Sequence, residues 1–213
     1  KWDTLAGKWS ALGSNGAGNG SLSGIVTSLA LSGSDVYVGG YFLNVNNNGA
    51  VLTAADYVAK WDGSNWSALG NNGAGNGALN NSTFVLFVNG TDLYVGGYFT
   101  DVSNGGTSIP AADYVAKWDG GTWSAVGGNG AGDGSIKSTP VIQAFAMQGG
   151  NLLVGGKFYD INNGGTILPQ ADFLAQWDGA NWSTLSMDSN GALVNGFSSG
   201  EVYSIAVIGT DVY

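Results

Sequence analysis

The chain has 213 residues, of which 38 are Gly, and carries six positive against 15 negative charges for a net charge of −9. It contains no Cys, no His and no Arg, which excludes thiol chemistry, cysteine–zinc sites, His-based triads, His-ligated haem or copper, and guanidinium recognition of anions. With only 10% charged residues and an acidic balance, it also lacks the basic footprint of a nucleic-acid binder.

Hydrophobic residues make up 44% and aromatic residues 12%, enough to bury a core, while Gly plus Pro stays below the level that signals disorder. No long segment shows a 3.6-residue period; β-formers and turn residues dominate, so the composition predicts an all-β protein. No apolar run reaches the ~18 residues of a membrane-spanning helix, so membrane insertion is not expected. Neither a signal peptide nor an initiator Met precedes Lys1-Trp2-Asp3; the chain reads as a processed form or a slice of a longer array.

Taken in order, the chain repeats itself every 57–60 residues. Residues 1–20 hold the tail of one repeat, with the pair Trp2 and Trp9. Residues 21–77, 78–134 and 135–193 are three whole repeats, and 194–213 is the head of another. All of it reads as one repeat domain. Each repeat predicts four strands, A to D. Strand A is Ile25–Leu31, with equivalents Ser82–Val88, Val141–Met147 and Val202–Val207; free of charge, it reads as buried on both faces. Strand B, Val36–Phe42, carries a diglycine, Gly39-Gly40, that returns as Gly96-Gly97 and Gly155-Gly156. Strand C is Asp56–Trp61, whose alternation sets Tyr57, Ala59 and Trp61 on one face. Strand D is Trp66–Leu69, joined to C through Asp62-Gly63, a tight-hairpin signal. The Trp pairs Trp61/Trp66, Trp118/Trp123 and Trp177/Trp182 are expected to form the core between sheets, because each ring can bury ~150–250 Å².

Four antiparallel strands per 57–60 residues predict a β-propeller, each blade hiding its faces against its neighbours. The string Val-Tyr-Val-Gly-Gly, a loop, Trp-Asp-Gly and a further Trp resembles the kelch repeat, and is similar to repeats of large microbial cell-surface proteins, including fungal cell-polarity markers. Trp61, Trp118 and Trp177 stand where kelch usually has Tyr, and the repeat is longer. Counted in repeats, the chain amounts to nearly four, which predicts a partial propeller or a slice of a longer array, the alternative being a non-closing β-array or filament of the same units. Galactose-oxidase-like copper chemistry would need His and Cys–Tyr ligands, and sialidase-type sites an Arg cluster; this sequence supplies neither.

The A–B and C–D turns are short and share one side; the D–A loops (Gly70–Asn81, Gly127–Thr139) and B–C loops (Thr100–Ala112, Tyr159–Ala171) are long and share the other. Any binding is expected on that long-loop face. Its B–C loops carry oxygen-rich runs that nominate a weak calcium site at Asp101, Asn104 and Asp113, and at Asp160, Asn163 and Asp172; the competing expectation is Asx side chains bonding their own turns. No other cofactor is expected. The Gly-rich D–A loops open no helix and so do not read as phosphate cradles. Asp62, Asp119 and Asp178 read as turn residues; Asp133, Asp188 and Glu201 break the repeat but form no catalytic pair. Sequons mark Asn19, Asn65, Asn80, Asn81, Asn89 and Asn181 as glycosylation candidates. The expectation is a non-enzymatic structural or scaffold protein, extracellular or at the cell surface, that self-assembles or joins flanking parts of its own protein. The alternative is a glycan- or protein-binding module, decided by whether the Trp rings are buried or line an open groove.

Overall fold

A computed structural model describes residues 1–185 and 200–213. It is all-β, built from antiparallel sheets of two to five strands. The chain starts with a hairpin, β1 (Trp2–Asp3) and β2 (Lys8–Trp9). The first full repeat comprises β3 (Val26–Ser32), β4 (Asp35–Gly40), β5 (Val45–Asn47), β6 (Ala50–Leu52), β7 (Val58–Trp61) and β8 (Trp66–Ala68). The second comprises β9 (Thr83–Asn89), β10 (Asp92–Gly97), β11 (Val102–Asn104), β12 (Thr107–Ile109), β13 (Val115–Trp118) and β14 (Trp123–Ala125). The third comprises β15 (Ile136–Gln148), β16 (Asn151–Asn163), β17 (Thr166–Leu168), β18 (Leu174–Trp177) and β19 (Trp182–Ser183), followed by β20 (Val207–Ile208) and β21 (Asp211–Val212).

The first two repeats form four-stranded meanders in the orders β3-β4-β7-β8 and β14-β13-β10-β9, and the third follows β15-β16-β18-β19 with β17 paired to β16. Strands A to D of the sequence are these four. The A–B turns are two residues long, with Gly33 and Gly90 at positive φ, as tight hairpins require. At the C–D turn Asp62 Oδ1 accepts from Ser64 N at 2.8 Å and Asn65 N at 2.7 Å, while Gly63 takes φ +102°.

Three strand expectations are corrected. Tyr57 does not belong to strand C: Val58 N donates to Asp56 O at 2.7 Å and Tyr57 sits at φ +62°, a γ-turn that a bulky residue adopts only under constraint. Tyr114 and Phe173 repeat it at +62° and +61°. The repeats hold more than the four expected strands, since in the long B–C loops β5–β6 and β11–β12 form hairpins of their own and β17 folds back on β16. Strand A of the last repeat is β20, Val207–Ile208, rather than 202–207; it pairs with Val212 and Asp211, and Ala206 and Tyr213 exchange both backbone hydrogen bonds beside it.

The sheets pack through their A strands: β9 lies against β3 and β4, β15 against β9 and β10, and β20 against β15. The diglycine makes this possible. A Cβ on Gly39 would meet Leu86 Cγ at 3.1 Å, and one on Gly96 would meet Ile142 Cγ2 at 2.7 Å, both in the next sheet. A Cβ on the second glycine (Gly40, Gly97 or Gly156) would collide with a carbonyl oxygen of its own sheet, where β9 and β10 shift register. The first glycine admits the neighbouring sheet and the second fits the bulge. The expected burial of strand A holds only where a sheet precedes it: Leu86 is 6% exposed, whereas the equivalent Leu29 is 61% exposed.

Candidate functional site: the inter-sheet seams and the long-loop face

The Trp pairs sit in the seams. Their ring centroids lie 5.4, 5.3 and 5.4 Å apart in the three full repeats, tilted 50–54°. Trp61, Trp66, Trp118, Trp123 and Trp182 are buried; Trp177 is half-buried. Trp118 and Trp123 share a core with Tyr37, Val58 and Leu69 of the preceding repeat, and Trp182 with Val115 and Val126.

The second Trp also carries a polar latch. Trp66 Nε1 donates to Leu12 O at 2.9 Å, Trp123 Nε1 to Leu69 O at 2.7 Å, and Trp182 Nε1 to Val126 O at 3.2 Å. Each acceptor lies at the end of strand D one repeat earlier, and the next residue (Gly13, Gly70 or Gly127) adopts φ of +72°, +75° or +81° beside the indole. Trp serves where Phe would not, because a buried indole N–H needs a partner and this carbonyl needs a donor. Sequence alone placed the rings in the core but missed the latch. Its trace in the sequence is the Leu/Val-Gly that ends three of the four D strands, Leu12-Gly13, Leu69-Gly70 and Val126-Gly127.

On the long-loop face, a cleft of about 410 Å³ runs between the first two repeats, lined by Asn44, Asp56, Asn72, Asn80, Asp101 and Ser103 among others. Asp56 is its buried hub, accepting from Asn44 N at 2.9 Å and Gly77 N at 3.0 Å. Asp113 accepts from Asp101 N at 3.0 Å and Gly134 N at 3.4 Å, and Asp172 from Asp160 N at 2.9 Å. Burial pushes the Asp113 carboxyl above the ordinary Asp value, against the lowering pull of those two N–H groups, with Asp101 and Asp133 adding repulsion.

These contacts bear on the proposed calcium ligands. The Asp113 and Asp172 carboxylates receive backbone N–H groups. Asn104 clamps the next hairpin through Trp123 N to its Oδ1 and its Nδ2 to Trp123 O, both 2.9 Å. Asn163 Oδ1 accepts from Trp182 N at 3.1 Å. Asp101 and Asp160 adopt positive φ at the start of the loop. Among the described residues no group of three or more His, Cys, Asp or Glu side chains comes together.

The Gly-rich D–A loops close on themselves. Asn72 Oδ1 accepts from Ala74 N and Asn76 N at 2.8 and 3.1 Å, and Asn129 Oδ1 from Ala131 N and Asp133 N at 2.8 and 3.0 Å. They then bond the B–C hairpin, through Asn48 N to Ser14 O, Gly105 N to Asn71 O and Gly164 N to Gly128 O. Of the carboxylates that break the repeat, Asp133 accepts from Asn129 Nδ2 at 3.1 Å and Glu201 from Gln143 Nε2 at 3.2 Å and Tyr203 OH at 2.7 Å; Asp188 lies outside the described residues. The sequons Asn19, Asn65, Asn80, Asn81, Asn89 and Asn181 are all exposed, although Asn80 bonds Thr100 through both ends of its amide.

Neither a protein-family model nor a curated protein sequence matches the chain. The solved structures it is similar to include two computationally designed proteins. The match to Ika8 has a TM-score of 0.41 and 16% identity, covering 88% of this chain and 41% of that one. The match to Ika4 has a TM-score of 0.35 and 15% identity, covering 88% and 82%. The chain thus spans less than half the length of Ika8.

Proposed function

We propose that this chain is a scaffold: a segment of a kelch-like β-propeller that is non-enzymatic and works outside the cell or at its surface. The observation that carries this reading is the repeated indole latch, which devotes the most distinctive residue of each repeat to holding one sheet to the previous one. On the long-loop face the carboxylates of Asp56, Asp113 and Asp172 and the amides of Asn104 and Asn163 are likewise engaged in turns and hairpin clamps. Sheets that approach through their A strands support radial stacking about an axis. Exposed sequons and low charge fit an extracellular glycoprotein. Small-angle scattering and a crystal structure test the arrangement: successive sheets related by one rotation about a common axis are expected, and a flat translational stack overturns it.

A second reading, recognition of glycans or proteins, is favoured by one feature. Tyr41, Phe84 and Tyr98 form a chain of rings at the start of the B–C loops, with centroids 5.7 and 4.7 Å apart, and Tyr41 and Tyr98 are exposed. Calorimetric titration with a panel of oligosaccharides separates the readings. The scaffold predicts no heat; binding that disappears in Tyr41→Ala and Tyr98→Ala transfers the function to this face.

A further inference from the structure

The walls of the cleft between the first two repeats are fixed from within. Asp56 holds Asn44 N at 2.9 Å and Gly77 N at 3.0 Å, tying the first B–C loop to the D–A loop that follows it. Ser103 N donates to Ala78 O and Gly105 N to Asn71 O, both at 2.9 Å, tying that D–A loop to the next B–C hairpin. Asn80 is engaged with Thr100 at both ends of its amide. The space of about 410 Å³ is therefore preformed, and its size is within the ~300–1,000 Å³ of small-molecule sites.

Other groups on the same walls have no such duty. Among the described residues, the side chains of Asn44, Asn76 and Asp101 form no hydrogen bond within the protein, although all three line the cleft. Together they offer amide donors, amide acceptors and a carboxylate. Leu43, which is exposed, and Tyr57, taken out of strand C by its positive φ, add apolar wall. This donor set narrows the ligand. Two neighbouring hydroxyls donate and accept at once, which complements a planar amide, and the C–H face of a pyranose packs on an aromatic or aliphatic wall. No lining residue is cationic, whereas Asp56 and Asp101 are acidic, so an anion would meet like charge. The second seam gives an internal contrast. One repeat on, Asn44 is replaced by Asp101 and Asn76 by Asp133, and both repel the Asp113 carboxyl there. The same backbone thus presents amides in one seam and carboxylates in the next.

We propose that the first-seam cleft binds a neutral pyranose with adjacent free hydroxyls. The amides of Asn44 and Asn76 and the Asp101 carboxylate hold the hydroxyls, and the sugar ring lies against Tyr57 and Leu43. The inference deepens the recognition reading and rests on it, but its site is not the Tyr41–Phe84–Tyr98 row.

Saturation-transfer and amide NMR on the full 213-residue chain test this, with methyl glucoside, methyl galactoside and methyl mannoside as probes at millimolar concentration. At least one is expected to bind and to shift the amide signals of Asn44, Gly77 and Ser103. Asn44→Asp combined with Asn76→Asp copies the second seam, so the fold accommodates it, and should weaken binding about tenfold through the lost amide donors and the added charge. Tyr41→Ala and Tyr98→Ala should leave binding unchanged. The uronic acid counterpart of whichever glycoside binds should bind more weakly. Circular dichroism checks that each variant is folded. Binding by none of the glycosides, tighter binding of the uronide, or an affinity indifferent to both Asn changes overturns the proposal. So does binding that is lost in Tyr41→Ala or Tyr98→Ala instead, a result that leaves recognition by the ring row standing. The oligosaccharide titration decides the ring row separately.

Discussion

The interior and the N-terminal Trp pairs share one ring geometry and differ in almost everything else. Trp118 and Trp123 lie 5.3 Å apart in a closed seam; Trp2 and Trp9 lie 5.5 Å apart with Trp9 three-quarters exposed. The hairpin alone therefore builds the pair, through the C–D turn that sets Trp2 opposite Trp9 as it sets Trp118 opposite Trp123. Burial and the Nε1 latch come from the preceding sheet. Local sequence makes the knob, and only a neighbour makes the hole. The ion pairs show the same division in reverse: the third repeat replaces Lys–Asp by Gln176 and Asn151, whose amides still meet at 3.2 Å. That tie is local to one sheet and tolerates a change of chemistry.

The sharpest way to break the comparison is to block the close approach inside a sheet. Gly97→Ala, whose Cβ collides with the Ser82 carbonyl, is expected to abolish folding or cost several kcal/mol, whereas Gly121→Ala, whose Cβ would have only Asp119 Oδ1 at 3.8 Å, should be nearly neutral; thermal melts of both check this. Leu86→Ala should cost about 2–5 kcal/mol by urea unfolding. Leu29→Ala, at the equivalent open position, should stay within about 0.5 kcal/mol; equal losses would mean that the preceding sheet does not decide the burial of strand A. Trp123→Phe leaves the Leu69 carbonyl unpaired and should cost about 1–3 kcal/mol by urea unfolding, while Trp9→Phe, at an exposed position, should be nearly silent.

The smallest effects are in pH. Asp119 accepts from Gly121 N and Thr122 N, and backbone donors, that of Thr122 foremost, hold its carboxyl below the ordinary value. Its contribution is therefore present above the unfolded pKa and lost as the pH falls through the folded one. Asp113 has the opposite sign. Raised chiefly by burial, it favours the fold when protonated, and that contribution is lost as the pH rises from the ordinary Asp value through its raised one. Asp113→Asn should flatten the urea midpoint over that window, whereas Asp119→Asn should flatten it below the window. Interchanged behaviour would contradict the assigned contacts.

Much of this architecture is legible in the sequence because the repeat shows each feature several times. The period marks the sheets; the Asp-Gly and Gly turns mark the hairpins; the diglycine marks a close approach whose two causes differ. What misled the reading of strand C was periodicity itself: Tyr57 continues the alternation of Ala59 and Trp61, yet the turn anchored by Asp56 takes it out of the ladder. The oxygen-rich loops were equally ambiguous, because Asp and Asn that bind a cation and Asp and Asn that bind backbone N–H groups look alike until the donors are placed. Asn104 belongs to the second kind, and its partner Trp123 lies 19 residues along the chain.

By itself the sequence determined the class, the repeat boundaries and the paired rings, since these depend on residue type and on separations of a few residues. Only tertiary structure decided which rings are buried, which carbonyl each indole meets some 54–56 residues earlier, and which equivalent leucines face water. Those outcomes depend on whether another sheet stands beside the residue, and a residue's own surroundings in the chain carry no record of that.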